Sequence, residues 1–491
     1  MSLREKTESG VIWSGLSNLG NQVLLISTQI ILARLIAPAE FGIVAAVSII
    51  LAICNVVIDG GFGQALVQKK NVEPIEISSV FFFNFFLSIL LYVCLFLATP
   101  SIADFFQEPR LNEVLPVLSI VLVVTALAQT QLKMLNRNLQ FSKLFMITIP
   151  GSVSGGVVGI GMAFLGWGVW AIVAFQLTNQ FVRTAALWLI ADRNYRPGFC
   201  FSFNALKKMI PYGAGIMGEG LVSAIINNMY GFAIGKCFGL SDLAFYNRAN
   251  TMQSIPTGLI AGTFGSVLFP VIASVRGSAE KSIRIIREAT TTIGSISFPM
   301  MLFLIAVAEP LIVTLLTDKW LPSVIFLRIL PMVGICYFLS GTCLTILRSL
   351  GFSGATFAIA LVKNAVALVA LVISYRFGLT ALVIGQVCAS LFNLCLNLWV
   401  VQIKSGYRVT SHLSDLAPGF VASVVAAAVT WIVVELTPVP PFFQLLVGML
   451  TMALVYIGVC RIWKVAGYLR AEEIILRRLA SISLFSRGST S

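Results

Sequence analysis

A run of about 20 apolar residues recurs along almost the whole length of this 491-residue sequence, and no other feature constrains its fold as strongly. A helix of that length crosses about 30 Å of hydrocarbon. With 58% hydrophobic residues, 11% charged residues and a mean hydropathy of +0.94, the chain holds more apolar side chains than a soluble domain could bury. Backbone polar groups in lipid must be paired, and these runs are too long for the strands of a β-barrel. The sequence therefore predicts an all-α polytopic membrane protein.

We expect about fourteen transmembrane helices. Their approximate bounds are 11–33, 43–66, 78–99, 114–132, 145–165, 169–190, 210–235, 244–275, 289–316, 323–347, 355–375, 380–401, 416–436 and 442–460. The first run is too long for the core of a signal peptide, and no small-residue cleavage site follows it, so we interpret it as a retained helix.

The distribution of Lys and Arg predicts the orientation. If the N-terminus is cytoplasmic, the cytoplasmic segments hold 24 of the 33 Lys and Arg residues and the opposite side holds five. Positive charges concentrate on the cytoplasmic side of membrane proteins, so we expect both termini there, in the bacterial inner membrane. The net charge of +13 is then explained by contact with anionic membrane lipid and requires no nucleic acid.

The chain contains an internal repeat. A shift of 202 positions places "LARLIAPAEFG" on "IGKCFGLSDLA" and "GGFGQAL" on "GTFGSVL", and a shift of 210 places "GVWAIVAFQ" on "GLTALVIGQ". We predict an N-terminal six-helix lobe at 1–200, a C-terminal six-helix lobe at 201–410, two additional helices at 411–461 and a cytoplasmic amphipathic tail at 462–491. Six spans per copy give both copies one orientation, and transporters built in this way hold substrate in a cavity between their halves.

Polar side chains inside the spans mark the expected cavity. Residues spaced by three and four share one helix face. The amide candidates are Gln176, Asn179, Gln180, Gln386, Asn393 and Asn227. Such stripes also bond neighbouring helices within a bundle, so both interpretations stay open. Their recurrence in both copies of the repeat favours the cavity.

Charged residues at bilayer depth are costly and usually face a cavity or a partner. The cationic candidates are Arg34, Arg183, Arg248, Arg328 and Lys363. Arg183 lies near mid-membrane, whereas Arg248 and Arg328 lie near the outer end and could snorkel. Arg34 is most simply an interfacial cation; its functional alternative is the outer mouth of the cavity, opposite Lys236.

Two carboxylates, Glu219 and Asp59, are candidates for coupling or gating, with structural pairing to the intramembrane cations as the alternative. The chain has one histidine, so a proton pathway would have to run through carboxylates.

Enzyme motifs and metal-ligand clusters are missing from the sequence. There is no P-loop, no H-E-x-x-H and no G-x-S-x-G, and the nine cysteines form no C-x-x-C pair. We expect no catalytic residue, no metal and no cofactor. The extracytoplasmic loops are also shorter than we expect for a membrane polymerase or ligase.

Four motifs resemble a known family: "GVIWSGLSNLGNQ", "ILARLIAPAEFG", "VVIDGGFGQALVQKK" and "FYNRANTMQSIPTGLIAGTFGSVLFPVIA". They are similar to the bacterial polysaccharide-transport family of Wzx-type flippases, within the multidrug/oligosaccharidyl-lipid/polysaccharide exporter superfamily. The most similar variants serve acidic exopolysaccharides of the succinoglycan, colanic acid or amylovoran type. Only Arg34, Asp59, Asn247 and Arg248 lie inside these motifs, so the other candidates depend on the argument from the residues alone.

This resemblance implies that the chain moves an undecaprenyl-diphosphate-linked oligosaccharide across the inner membrane by alternating access. Polymerase and chain-length proteins are then potential partners. One alternative is a multidrug-type exporter of small molecules, which predicts an acidic rather than a basic cavity. The other is a non-catalytic membrane component of the polymerisation complex, which would not need paired polar stripes.

Overall fold

The computed structural model describes residues 20–192, 195–274 and 279–473, and this part of the chain contains helices and no strand. The helices are α1 (20–35), α2 (Pro38–Asp59), α3 (Phe62–Gln68), α4 (Pro74–Phe106), α5 (Leu111–Arg137), α6 (Phe141–Phe164), α7 (Val169–Ile190), α8 (Phe203–Cys237), α9 (Leu240–Ser274), α10 (Ala279–Ala306), α11 (Ala308–Leu316), α12 (Ser323–Ser349), α13 (Ser353–Ser374), α14 (Leu379–Ser405), α15 (Val409–Leu436), α16 (Pro441–Ile462) and α17 (466–473). Short 3₁₀ turns lie at Asp318–Trp320 and Tyr375–Phe377.

Among the described residues, eleven helices are long and apolar enough to cross a membrane. The polytopic all-α prediction is therefore confirmed. The three other predicted spans coincide with α1, α7 and α9. Helix α1 is described only from residue 20, and α7 is less apolar because it carries amides and Arg183.

Two predicted spans are each divided into two helices. The span predicted at 43–66 ends as α2 at Asp59, because Gly60 and Gly61 adopt positive φ angles of 53° and 71° before α3 begins. The span predicted at 289–316 is interrupted at Val307, between α10 and α11. Local signals stand at both breaks, Asp59-Gly60-Gly61 at the first and Glu309-Pro310 just after the second, but hydropathy averaged over about 20 residues does not resolve them.

The chain forms two compact units, Met1–Ala244 and Phe245–Ser491. In the first unit, α4 packs on α5, α5 on α7, and α6 on α7. In the second unit, α10 packs on α12, α12 on α14, and α13 on α14. These three pairings correspond to those of the first unit. In the order of the internal repeat, α10, α12, α13 and α14 take the places of α4, α5, α6 and α7. The predicted lobe boundary near residue 200 stays a prediction.

Helix α8 packs along α2 inside the first unit, and glycines stand at the closest points. A Cβ atom on Gly42 would meet the carbonyl oxygen of Leu240, the first residue of α9, which follows α8. A Cβ atom on Gly61 would meet the carbonyl oxygen of Gly213 and lie 2.9 Å from its Cα atom. The two backbones approach so closely because neither glycine carries a side chain.

In the second unit, α15 and α16 pack against α10, and the beginning of the tail returns to the same helix. Tyr456 donates a hydrogen bond to the Ser295 carbonyl oxygen at 2.6 Å, and Arg470 lies 3.6 Å from the Glu288 carboxylate. The described part of the predicted tail thus contacts α10. The rest of that tail lies outside the described residues.

An ion pair beyond the end of α7 gives a pH prediction. Lys143 donates to Asp192 at 2.6 Å and Gln140 donates at 3.2 Å, and these bonds, Lys143 first, hold the pKa of the Asp192 carboxyl below its ordinary value. A lowered carboxyl pKa stabilises the fold above the unfolded value of about 4, and this stability is lost as pH falls through that range. Both side chains are partly exposed, so the effect is small. We expect Asp192→Asn to lower Tm slightly at pH 7 and to weaken its fall on acidification. An identical pH profile in the variant would contradict this.

Candidate functional site

A polar cavity of about 410 Å³ lies between α5, α6 and α7 in the first unit. Its lining residues are Thr125, Gln129, Leu132, Lys133, Asn136, Phe141, Leu144, Thr148, Gln180 and Arg183. Two of them are cations, and five carry amide or hydroxyl groups. Each of the three helices is long enough to span a membrane, so the cavity presents hydrogen-bonding groups inside or close to the bilayer.

Small residues on α6 position the polar side chains of α7. Gly151, Gly155 and Gly159 recur at every fourth residue. A Cβ atom on Gly151 would lie 2.7 Å from the Asn179 carbonyl oxygen, and one on Gly155 would lie 2.8 Å from that of Phe175. This small-residue stripe lets the two helices approach closely and fixes the rotation of α7. Gln180 and Arg183 consequently line the cavity.

Arg183 is the central cation of the cavity. Its Nε atom is buried and has no hydrogen-bond partner in the described part of the protein. A guanidinium carries five donors, and an unsatisfied charge within a membrane span costs about 2.5–3.5 kcal/mol even on the lenient insertion scale. The cavity therefore favours a ligand that supplies acceptor oxygens and negative charge.

A second cation, Lys133, lies on the α5 side of the cavity. Its Nζ atom is 3.6 Å from Oδ2 of Asp59, the last residue of α2. Gln129 donates from Nε2 to Oδ1 of Asp59 at 2.9 Å, and its own Oε1 atom is buried without a hydrogen-bond partner. Two cations and one carboxylate leave a surplus of one positive charge at this site.

Asn179 and Gln176 belong to α7 but do not line the cavity. Asn179 donates to Ser152 at 3.4 Å, and Ser152 donates to Asn21 at 2.5 Å, so these three side chains connect α7, α6 and α1. Gln176 is half-buried one turn before Gln180. Of the four polar residues predicted on α7, Gln180 and Arg183 line the cavity, Asn179 bonds helices, and Gln176 is not a lining residue.

In the second unit the predicted polar residues bond helices to one another. Gln386 accepts a hydrogen bond from the Tyr246 hydroxyl at 3.1 Å, and Asn393 donates to Ser340 at 3.4 Å. These contacts join α14 to α9 and to α12. The interpretation as helix-to-helix bonding, which the sequence left open, therefore describes these two amides.

Two of the three candidate cations of the second unit have protein neighbours. The Arg248 guanidinium lies over the Trp320 ring, 5.0 Å from its centroid, and Arg328 lies 3.4 Å from the Glu309 carboxylate. Lys363 is exposed on α13. None of the three belongs to the cavity at Arg183.

The remaining candidates lie on the surface of the first unit. Glu219 and Asn227 are exposed on α8, eight residues apart, and Arg34 is exposed at the end of α1. Lys236, expected opposite Arg34, donates to the Phe105 carbonyl oxygen at 2.5 Å and lies 4.4 Å from the Phe105 ring centroid. Lys236 thus satisfies a carbonyl group in the last turn of α4.

The sequence reasoning missed the α5 face of the cavity. It assigned Lys133 to a cytoplasmic loop, whereas α5 continues to Arg137. Thr125, Gln129, Lys133 and Asn136 follow one another at intervals of four, four and three residues. This helical spacing was the signal that could have revealed the polar face. No cluster of three or more potential metal ligands occurs among the residues that the structure describes.

The family model described as "Polysaccharide biosynthesis protein" matches residues 31–325. The chain belongs to this family. The matched residues include the whole cavity, both Gly60 and Gly61, and all of α2 to α10. The family resemblance is therefore confirmed, and three of the four motifs that carry it lie within the matched residues.

Three relatives, each named as a biosynthesis protein, are similar to much of the chain. The lipopolysaccharide biosynthesis protein WzxC of Escherichia coli K12 is 26% identical over 82% of this chain and 80% of its own length. The teichuronic acid biosynthesis protein TuaB of Bacillus subtilis 168 is 27% identical over 68% and 69%. The succinoglycan biosynthesis transport protein ExoT of Rhizobium meliloti 1021 is 27% identical over 63% and 62%.

Two solved structures share the fold. The lipid II flippase MurJ in an inward closed conformation matches 92% of this chain and 98% of its own, with a TM-score of 0.73 and 15% identity. A multidrug resistance MATE family transporter in an inward-facing conformation matches 79% and 94%, with a TM-score of 0.61 and 16% identity. At these identities the likeness concerns the fold of this multi-pass membrane protein and not its substrate.

Proposed function

We propose that this protein is a flippase that moves an undecaprenyl-diphosphate-linked oligosaccharide across the bacterial inner membrane for the export of an acidic exopolysaccharide or other surface polysaccharide. The observation that carries this proposal is the cavity at Arg183, which offers a surplus positive charge and five hydrogen-bonding side chains within a bundle of spanning helices. Family membership and the names of the relatives support a polysaccharide precursor as the cargo.

The chemistry of the cavity suits a diphosphate joined to a sugar. A diphosphate supplies the acceptor oxygens that the Arg183 guanidinium lacks, and a guanidinium can bind two of them at once. Amide and hydroxyl groups are suitable partners for sugar hydroxyls. The polyprenyl chain has no counterpart in this polar cavity and stays in the surrounding lipid.

Transport proceeds by alternating access, with both termini in the cytoplasm and the loaded head group entering from that side. A conformational change then exposes the head group to the outer face. The ligand drives this change only if it binds the two conformations with different affinities, and removal of the product outside by a polymerase can supply the direction. We assign no catalytic residue and no cofactor to this cycle.

Deletion of the gene, followed by analysis of lipid-linked intermediates, tests the proposal. We expect complete repeat units to accumulate on the inner leaflet while polymer export stops, because synthesis of the unit does not require its transfer. A plasmid with the wild-type gene should restore export, and so should the control variant Arg376→Ala, which changes an exposed cation outside the cavity. Complete absence of lipid-linked units would instead identify an enzyme, and unchanged polymer output would exclude a role in this export.

A further inference from the structure

Lys133 lies farther from its carboxylate partner than Lys143 lies from its own. Its Nζ atom lies 3.6 Å from Asp59, beyond direct hydrogen-bond distance, whereas Lys143 lies 2.6 Å from Asp192. Lys133 lines the cavity, and its ammonium has three donors. A ligand in the cavity can therefore reach this cation without first displacing a short hydrogen bond.

The Asp59 carboxylate has a second partner besides Lys133. Its Oδ1 atom accepts the hydrogen bond from Gln129 at 2.9 Å, and this bond remains if the lysine turns away. The Oε1 atom of Gln129 faces no donor in the described structure, so the amide is held on one side only. Asp59 is therefore a counter-ion that lies near Lys133 without a direct hydrogen bond to it.

We propose that Lys133 is an exchangeable anion ligand: Asp59 holds it in the empty cavity, and a phosphate or diphosphate group takes it over on binding, together with Arg183. This inference rests on the proposed function for the identity of the cargo, but the exchange itself concerns only the binding of phosphate oxygens. Lys133 is then a binding residue that the sequence pattern missed, and Asp59 is a positioning residue that competes with the ligand.

The position of this pair gives the exchange a structural consequence. Asp59 is the last residue of α2, directly before the break at Gly60 and Gly61. A Cβ atom on Gly63 of α3 would lie 2.7 Å from Asp59 Oδ1 and 3.0 Å from Lys133 Cε. Departure of the lysine toward a ligand therefore removes a contact at the junction of α2 and α3, next to the point where Gly61 meets α8.

A double-mutant cycle with inorganic pyrophosphate tests the exchange in the purified full-length protein. The variants are Asp59→Asn, Lys133→Met and both together, with Lys143→Met as the control for loss of a lysine outside the cavity. Pyrophosphate affinity is measured by ligand-induced stabilisation at constant ionic strength. We expect Lys133→Met to weaken binding about tenfold and Lys143→Met to leave it unchanged within about twofold.

Asp59→Asn gives the most specific result. It removes the competing charge and keeps an oxygen that can accept from Gln129, so we expect pyrophosphate to bind up to about tenfold more tightly. This gain should fall below about twofold when Lys133 is already methionine. An equal gain in both backgrounds would show that Asp59 only repels anions at a distance and would overturn the exchange. Weaker binding in Asp59→Asn would show a structural role instead.

Two further measurements keep the test decisive. If Lys133→Met does not fold, Lys133→Arg should fold and retain binding, because it keeps the cation; loss of binding in a folded Lys133→Arg protein would contradict the assignment.

In nanodiscs, added undecaprenyl diphosphate should compete with pyrophosphate, whereas replacement of neutral lipid by phosphatidylglycerol should not. This comparison separates the lipid-linked diphosphate from a phospholipid head group. Absence of pyrophosphate binding to the wild-type protein overturns the anion site, whereas pyrophosphate binding by the purified protein together with unchanged polymer output in the deletion strain overturns only the proposed cargo.

Discussion

Replacing Arg183 with alanine will stop polysaccharide export in a protein that still folds and reaches the membrane. The substitution removes the cation whose Nε atom is buried without a hydrogen-bond partner, so the fold loses an uncompensated charge rather than an internal ion pair. The diphosphate loses its bidentate donor, and truncation of such a charged partner typically costs about 2–5 kcal/mol of binding, which is a decrease in affinity of at least about thirtyfold. We expect polymer output below about a tenth of the wild-type level at equal expression.

Two neighbouring variants separate binding from structure. Arg183→Lys keeps the charge but loses the planar pair of donors, so we expect partial export. Asn179→Ala removes a helix-to-helix hydrogen bond one turn away, which in membrane proteins averages about 0.6 kcal/mol, and we expect export close to wild type. Normal polymer output from a well-expressed Arg183→Ala protein would remove this arginine from the site.

The second large effect is expected at the junction of α2 and α3. Gly61→Ala should destabilise the protein by about 2–5 kcal/mol. A residue with a Cβ atom at a φ of 71° costs about 1–2 kcal/mol, and the forced contact with the backbone of Gly213 adds about 1–3 kcal/mol. Since a backbone carbonyl cannot rotate away as a side chain can, we expect α8 to separate from α2 at this point.

Gly166 supplies the matched control. It has a similar φ of 78° but no atom within 4 Å of the position that a Cβ would take. Gly166→Ala should therefore cost only the backbone strain, about 1–2 kcal/mol. The measurement is the yield of folded protein and its Tm in one detergent. Equal losses for the two variants would mean that the contact between Gly61 and Gly213 contributes nothing to stability.

The sequence predicted the helices because membrane insertion depends on length and hydropathy, which are local properties. It did not predict the breaks at Gly60 and Val307, since hydropathy averaged over about 20 residues stays high across them, although Asp59-Gly60-Gly61 and Glu309-Pro310 interrupt the apolar residues locally. The recurrent helix pairings follow the order of the internal repeat, which was visible as matching motifs at offsets of 202 and 210.

The candidate site was predicted less completely, because a polar residue within a span has two physical outcomes that a single sequence does not distinguish. Gln180 and Arg183 line the cavity, whereas Asn179, Gln386 and Asn393 bond helices. For the residues of α7 the rotation of the helix decides between the two, and that rotation depends on the glycine stripe of α6. Lys133 was missed for a different reason: α5 extends about one turn further than its hydropathy predicts.

The packing of α8 along α2 also bears on how this protein is made. Helix α2 is synthesised early, but α8, which packs along it, follows only after α3 to α7. Until then Gly61 lacks its neighbour Gly213. We expect the junction after Asp59 to reach its final packing only once Phe203–Cys237 has been synthesised.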